Sequence, residues 1–153
     1  WLSGFGGTGK TTIVSAIQRL INSLYLPDPI KASSGHMVTA GLTVMSAFDL
    51  CHLYVNDYKQ FLGYRNTALL AIDDLGMESE RIMKYGQECY PISELLSYRY
   101  ECRLFTIVTT NLPSSEVRPR YGDRMADRVN HMMQVVVMPD TNFRELSETY
   151  NPI

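Results

Sequence analysis

The sequence has few cysteines, no long apolar run and no marked excess of charge, and each shortage excludes a class of protein. Its three cysteines, Cys51, Cys89 and Cys102, are odd in number and far apart. That fits reduced thiols in a cytoplasmic protein and not a disulfide framework. Neither they nor His36, His52 and His131 show ligand spacing, so no zinc site is expected. No apolar stretch approaches the roughly 18 residues of a membrane span, and the start is unlike a signal sequence. A formal net charge of −2 gives no general attraction to nucleic acid or acidic membrane, so any DNA contact needs a local basic patch. There is no internal repeat and no low-complexity block. What remains is ordinary: 153 residues, 45% apolar and 20% charged, enough for one core.

Along the chain, Ile13, Ile17, Leu20, Ile21 and Leu24 recur at helical spacing and predict a helix from about Gly9 to Leu24. Pro27 and Pro29 end it, and a polar stretch runs to His36. A short strand is expected at Leu42 to Met45. Ser46 then caps a second helix with Phe48, Cys51, Val55, Tyr58 and Leu62 on one face. Ala68 to Ile72 is a continuous apolar run, as in a buried parallel strand, ending at two aspartates. A polar loop from Gly76 to Tyr90 leads to Pro91, which opens a third helix reaching about Glu101. Leu104 to Thr109 reads as a strand, Ser114 to Asn130 as helical and Gln134 to Met138 as a last strand. The residues after Pro139 read as a polar tail. This alternation implies an α/β fold with a mainly parallel sheet. Lys10-Thr11, Asp73-Asp74 and Thr110-Asn111 should then meet beyond the carboxyl ends of the strands.

The run Gly4-Phe5-Gly6-Gly7-Thr8-Gly9-Lys10-Thr11, followed by Thr12, matches the phosphate-loop pattern G-x-x-x-x-G-K-[ST]. Its glycines let successive N–H groups face the phosphates of ATP, and the helix N-terminus adds partial positive charge. Lys10 would reach the β- and γ-phosphates, and the Thr11 hydroxyl would bind magnesium. Some sixty residues on, Leu69 to Ile72 followed by Asp73-Asp74 suits a Walker B strand. Asp73 would hold magnesium and Asp74 would polarise the attacking water, unless both carboxylates serve the metal. Asn111, at the tip of an adjacent strand, can bond the γ-phosphate or the water, or simply make the turn before Leu112-Pro113. Arg124 and Arg128 share a helix face. They belong to an arginine-rich run with Arg118 and Arg120, which can deliver an arginine to a neighbouring subunit's ATP or be solvated charge paired with Asp123 and Asp127. A phosphate loop normally follows a buried strand, yet only Trp1, Leu2 and Ser3 precede this one. The first strand is expected to be cut short, with any N-terminal partner-binding region outside residues 1–153.

In order, the phosphate loop, Ile72-Asp73-Asp74-Leu75-Gly76, Arg99-Tyr100, Thr110 to Pro113 and Tyr121 to Val129 resemble the AAA+ ATPase domain of the DnaC/DnaI helicase loaders. They resemble equally the related IstB transposition helpers. The resemblance covers nearly the whole chain. It implies a three-layer P-loop NTPase of the ASCE type, with a mainly parallel five-stranded sheet and no full C-terminal lid. It also implies Mg-dependent ATP hydrolysis and self-assembly into a ring or spiral with ATP at subunit interfaces. The partners would be a replicative helicase and single-stranded DNA, or a transposase. By position Asn111 matches sensor 1, and Arg128 matches the trans-acting arginine, with Arg124 in reserve. Asp127 stands where the family commonly has serine. Arg144 matches an arginine near the family's domain end. Lys31, Lys59, Arg65, Arg81 and Lys84 are candidates for a DNA-facing patch, or plain surface charge. A small-molecule kinase with Arg118 to Arg128 as a lid, and a scaffold that holds ATP without turnover, are the remaining readings. The acidic residue at Asp74 speaks against both.

Overall fold

A strand with no apolar–polar alternation must be covered on both faces, and the run ending at Asp73 is. In the computed structural model, which describes residues 1–27, 37–143 and 145, this strand is β5 (Leu69–Leu75). It lies between β4 (Leu42–Ser46) and β8 (Phe105–Thr110) in a five-stranded sheet of order β4-β5-β8-β1-β9. Here β1 is Leu2–Ser3 and β9 is Val136–Val137, and every pairing in the sheet is parallel. Successive β5 residues serve opposite cores. Ala71 packs with Val14, Ile17 and Ile21 of α1 (Lys10–Asn22) on one face. Leu70 and Ile72 pack on the other with Leu50, Phe61, Leu95, Leu96 and Val129. The result is the expected three-layer α/β sandwich.

Several elements differ from expectation, each for a local reason. The single helix expected after Ser46 is two, α2 (Ala47–Asn56) and α3 (Tyr58–Asn66). Ser46 caps the first, accepting from the Asp49 N–H at 2.9 Å. Asp57 breaks the run and caps the second, accepting from the Gln60 N–H at 3.0 Å. The break resets the helical phase. The buried stripe is therefore Ala47, Leu50, Cys51 and Tyr54, while Phe48 and Val55 are exposed. On α1 the inward residues are likewise Val14, Ile17 and Ile21, with Leu20 and Leu24 exposed. The expected helix at Ser114 to Asn130 is also two, α5 (Ser114–Tyr121) and α6 (Asp123–Met132), parted at Gly122 with φ 81°.

Two antiparallel strand pairs go beyond expectation, one with strands on either side of the polar stretch that runs to His36, the second a hairpin inside the stretch read as polar loop from Gly76 to Tyr90. β2 (Tyr25–Pro27) pairs antiparallel with β3 (Met37–Thr39), and β6 (Ile82–Lys84) with β7 (Gln87–Cys89). The hairpin turns on Tyr85 and Gly86, both at positive φ as a two-residue hairpin turn demands. Tyr-Gly is a weaker signal for that turn than Asn-Gly, which is why it escapes a reading of composition. The helix opened by Pro91 is α4 (Pro91–Glu101), as expected. Lys31, His36 and Arg144 lie outside the described residues. No helix among the described residues is long and apolar enough to cross a membrane.

Candidate nucleotide site

The loop between β1 and α1 is built to receive an anion. Gly9 caps α1 without a side-chain hydrogen bond, and the helix has no acid in its first turn. The first N–H groups therefore face outward with their partial positive charge unopposed. Lys10 is 5% exposed, and its ammonium donates to the Gly4 and Phe5 carbonyls at 2.7 Å each. Thr8, also buried, donates to the Phe5 carbonyl at 2.9 Å and tightens the same loop.

Asp73, from a segment 62 residues away, arrives opposite Thr11, whose hydroxyl lies 3.2 Å from each carboxylate oxygen. The Thr109 hydroxyl holds Asp73 from behind, donating at 2.5 Å, and accepts the Asp74 N–H at 2.9 Å. Pairing of β5 with β8 skips between Ile72 and Leu75, and Asp74 in that bulge takes φ 55°. The bulge interrupts the ladder, which resumes at Leu75 and Thr110, and leaves Asp74 exposed in the lining of a cleft. That cleft, about 420 Å³, is lined by the loop from Gly6 to Thr12 together with Asp74, Met77, Asn111 and Phe143. A larger cavity of about 730 Å³ lies at the other end of the sheet, near Trp1, Phe105 and Ile107, and contains none of these motif residues.

Residues given no part in the chemistry fix this arrangement. The Thr110 hydroxyl donates to the Leu75 carbonyl at 2.6 Å and accepts the Leu112 N–H at 3.0 Å. Ser3 donates to the Leu112 carbonyl at 3.1 Å, so the strand before the phosphate loop grips the Asn111 turn. Behind the loop, the Phe143 N–H donates to the Gly7 carbonyl at 3.0 Å. A Cβ on Gly7 would stand 2.0 Å from the Asn142 side chain, so only glycine admits that approach. Asn142-Phe143 carried the family match only through its neighbour Arg144. Thr109 lay in the strand motif that ends at Asn111 without a role of its own, and Met77 and Glu78 had no motif to mark them.

The arginines divide. Arg118 pairs with Asp123 and, at 2.8 Å, with Asp127, the acidic partners expected for the arginine-rich run. Arg124 is exposed. Arg128 donates to Glu101 at 2.8 Å and lies over the Tyr100 ring. Glu101 and Tyr100 line the larger cavity, and neither Arg124 nor Arg128 lines the nucleotide cleft. Of the suggested DNA-facing cations, Arg65 lies over Tyr98, Arg81 pairs with Glu88, and Lys84 donates to the Tyr54 carbonyl at 2.6 Å. Lys59 is exposed. Arg99, from the family's Arg-Tyr pair, is wholly buried. Its guanidinium donates to the Arg65, Thr67 and Phe105 carbonyls and to Thr106.

The donor set fits magnesium. Thr11 and Asp73 are hard oxygen donors facing a phosphate loop, and this cation is typically held by one or two protein oxygens plus phosphates and water.

No protein-family model matches the sequence, and no curated protein does. Solved structures do. A crystal structure of the DnaC helicase loader is 24% identical with TM-score 0.59, over 90% of this chain and 76% of that one. DnaI is 18% identical with TM-score 0.61, over 92% and 70%. AMPPCP-bound DnaA from Aquifex aeolicus is 18% identical with TM-score 0.56, over 97% of this chain and 43% of that one. At these identities the likeness is one of fold: this chain shares the α/β fold of DnaC and DnaI.

Proposed function

We propose that this AAA+ domain binds ATP with magnesium, hydrolyses it, and uses the nucleotide state to control self-assembly on single-stranded DNA while loading a replicative helicase. One observation carries the ATPase reading. Thr11 of the phosphate loop and Asp73 of β5 come from opposite ends of a 62-residue separation to 3.2 Å, beside a cleft that Asp74 and Asn111 also line.

The chain's residues divide the work. The N–H groups of the loop from Gly4 to Thr12 receive the phosphates, and Lys10 exchanges its carbonyl partners for phosphate oxygens. Thr11 and Asp73 would hold magnesium, which when bound neutralises developing phosphate charge. Asp74, exposed in the cleft lining, accepts a proton from the attacking water, and Asn111 orients that water or the γ-phosphate. Arg128 would act on a neighbouring subunit's ATP, a role supported by its position away from its own cleft. The helicase as partner is supported by the fold likeness to a structure described as the DnaC helicase loader, and single-stranded DNA follows from the sequence resemblance to that family. A transposition helper would share the whole ATP site and differ in its partner alone.

Lys10→Ala should abolish ATP binding, whereas Asp74→Asn should bind ATP normally and lose hydrolysis by about a hundredfold or more. Equilibrium nucleotide titration and steady-state phosphate release separate the two. Equal turnover in Asp74→Asn and the unaltered protein would remove Asp74 from the reaction.

A further inference from the structure

We infer that Glu78 is a positioning residue for hydrolysis, which holds the turn carrying Asp74 and ties it to the end of α5. The inference rests on the ATPase reading above.

The Glu78 side chain is 0% exposed. A carboxylate so placed is costly unless its oxygens are satisfied. Its partners come from two separate elements. Oε2 accepts the Gly76 N–H at 2.7 Å, inside the turn that follows Asp74. Oε1 accepts the Tyr121 hydroxyl at 2.5 Å, from the last residue of α5, with an Arg120 nitrogen 3.7 Å away. Arg120 also donates to the Glu78 backbone carbonyl. One carboxylate thus bridges the exit of β5 and the helix pair that carries Arg124 and Arg128.

The turn needs such a brace. Asp74 sits at φ 55° and Gly76 at φ 100°, two left-handed residues within three positions. The Met77 N–H closes the turn onto the Asp74 carbonyl at 3.2 Å, and Glu78 binds the N–H in its middle. A non-glycine residue in this conformation persists only where its surroundings over-determine it. Leu112 covers Gly76 so closely that a Cβ there would meet it at 2.6 Å, so the same brace bears on the Asn111 turn. Glu78 does not line the cleft and has no part in holding nucleotide. Its effect should fall on the placement of Asp74, where an error near 1 Å can cost on the order of a hundredfold.

Glu78→Gln keeps the shape but leaves one accepting oxygen where the carboxylate has two, so it can no longer accept from both the Gly76 N–H and the Tyr121 hydroxyl. Tyr121→Phe removes one donor and leaves the turn's own bond intact. Using the complete protein, sites are counted by titration with a fluorescent ADP analogue, and turnover is expressed per titrated site. Affinity should stay within about threefold in both variants, while kcat falls about tenfold or more in Glu78→Gln and less in Tyr121→Phe. The double variant should be no worse than Glu78→Gln, because the two act as one unit. Turnover per site within about twofold of the parent in both variants, or affinity falling in step with turnover, would overturn the inference. Absence of turnover in the unaltered protein would instead defeat the ATPase reading, and this inference with it.

Discussion

Thr109 shows how much one hydroxyl can organise. It donates to Asp73 and accepts from the Asp74 N–H, so both acids take their positions from a neighbouring strand. Thr109→Val keeps the β-branched shape and removes both bonds. It should cost about 1–3 kcal/mol of stability and raise the magnesium concentration needed for turnover, read by denaturant unfolding and by magnesium titration of the ATPase rate. Cys51 marks the same neighbourhood from the core side. Burial, and then the nearby Glu78 charge, pushes its thiol up to about 12. At about pH 8 iodoacetamide should therefore label exposed Cys102 well before Cys51, and mass spectrometry of timed samples would show the order. Burial lowers Arg99 to about 10, so it stays charged at neutral pH while bonded to neutral groups alone.

At the scale of elements, Arg99 is a staple. From α4 it holds the end of α3, the Thr67 that follows it and the start of β8 through four acceptors. Arg99→Ala leaves those groups buried without a partner and should cost roughly 3 kcal/mol or more in a denaturant melt. Arg99→Lys should recover little, since an ammonium cannot reproduce the guanidinium fork. The β6–β7 hairpin is pinned similarly, by Lys84 over the Tyr54 and Tyr58 rings at 4.9 and 4.6 Å. These contacts draw Lys84 inward, away from the DNA-facing role its charge suggested. Gly76 is the tightest point between elements. Gly76→Ala combines φ 100° with the Leu112 contact and should lower the melting temperature by an amount worth about 1–3 kcal/mol.

For the whole molecule, the two ends of the sheet have different characters. The nucleotide cleft gathers at the carboxyl ends of the strands, while Arg128 is ion-paired with Glu101 beside the larger cavity at the other end. If assembly supplies Arg128 to a neighbour, it must exchange Glu101 for phosphate. ATPase rate per protomer should then rise with protein concentration, and Arg128→Ala should abolish the rise. A rate independent of concentration would end the trans-acting assignment. Single-stranded DNA should bind the complete protein at moderate salt and raise its turnover, and a failure of both would count against a loader.

The sequence by itself picked out the residues of the candidate site and the strands that carry them. A phosphate loop, an apolar run ending in two acids and a strand ending in Thr-Asn are local patterns, each with a spacing set by backbone geometry. It also determined the α/β alternation, because periods of two and 3.6 residues are written in apolar positions. Tertiary structure decided which helix stripe faces inward. One residue such as Asp57 or Gly122 resets the phase, and nothing local says which of two adjacent stripes meets the sheet. It decided that Arg118, and not Arg128, takes Asp123 and Asp127, and that Arg99 is buried. Glu78 and Thr109 acquired their positions in the same way. Their partners lie 43 and 36 residues away in sequence, a distance that only the folded chain closes.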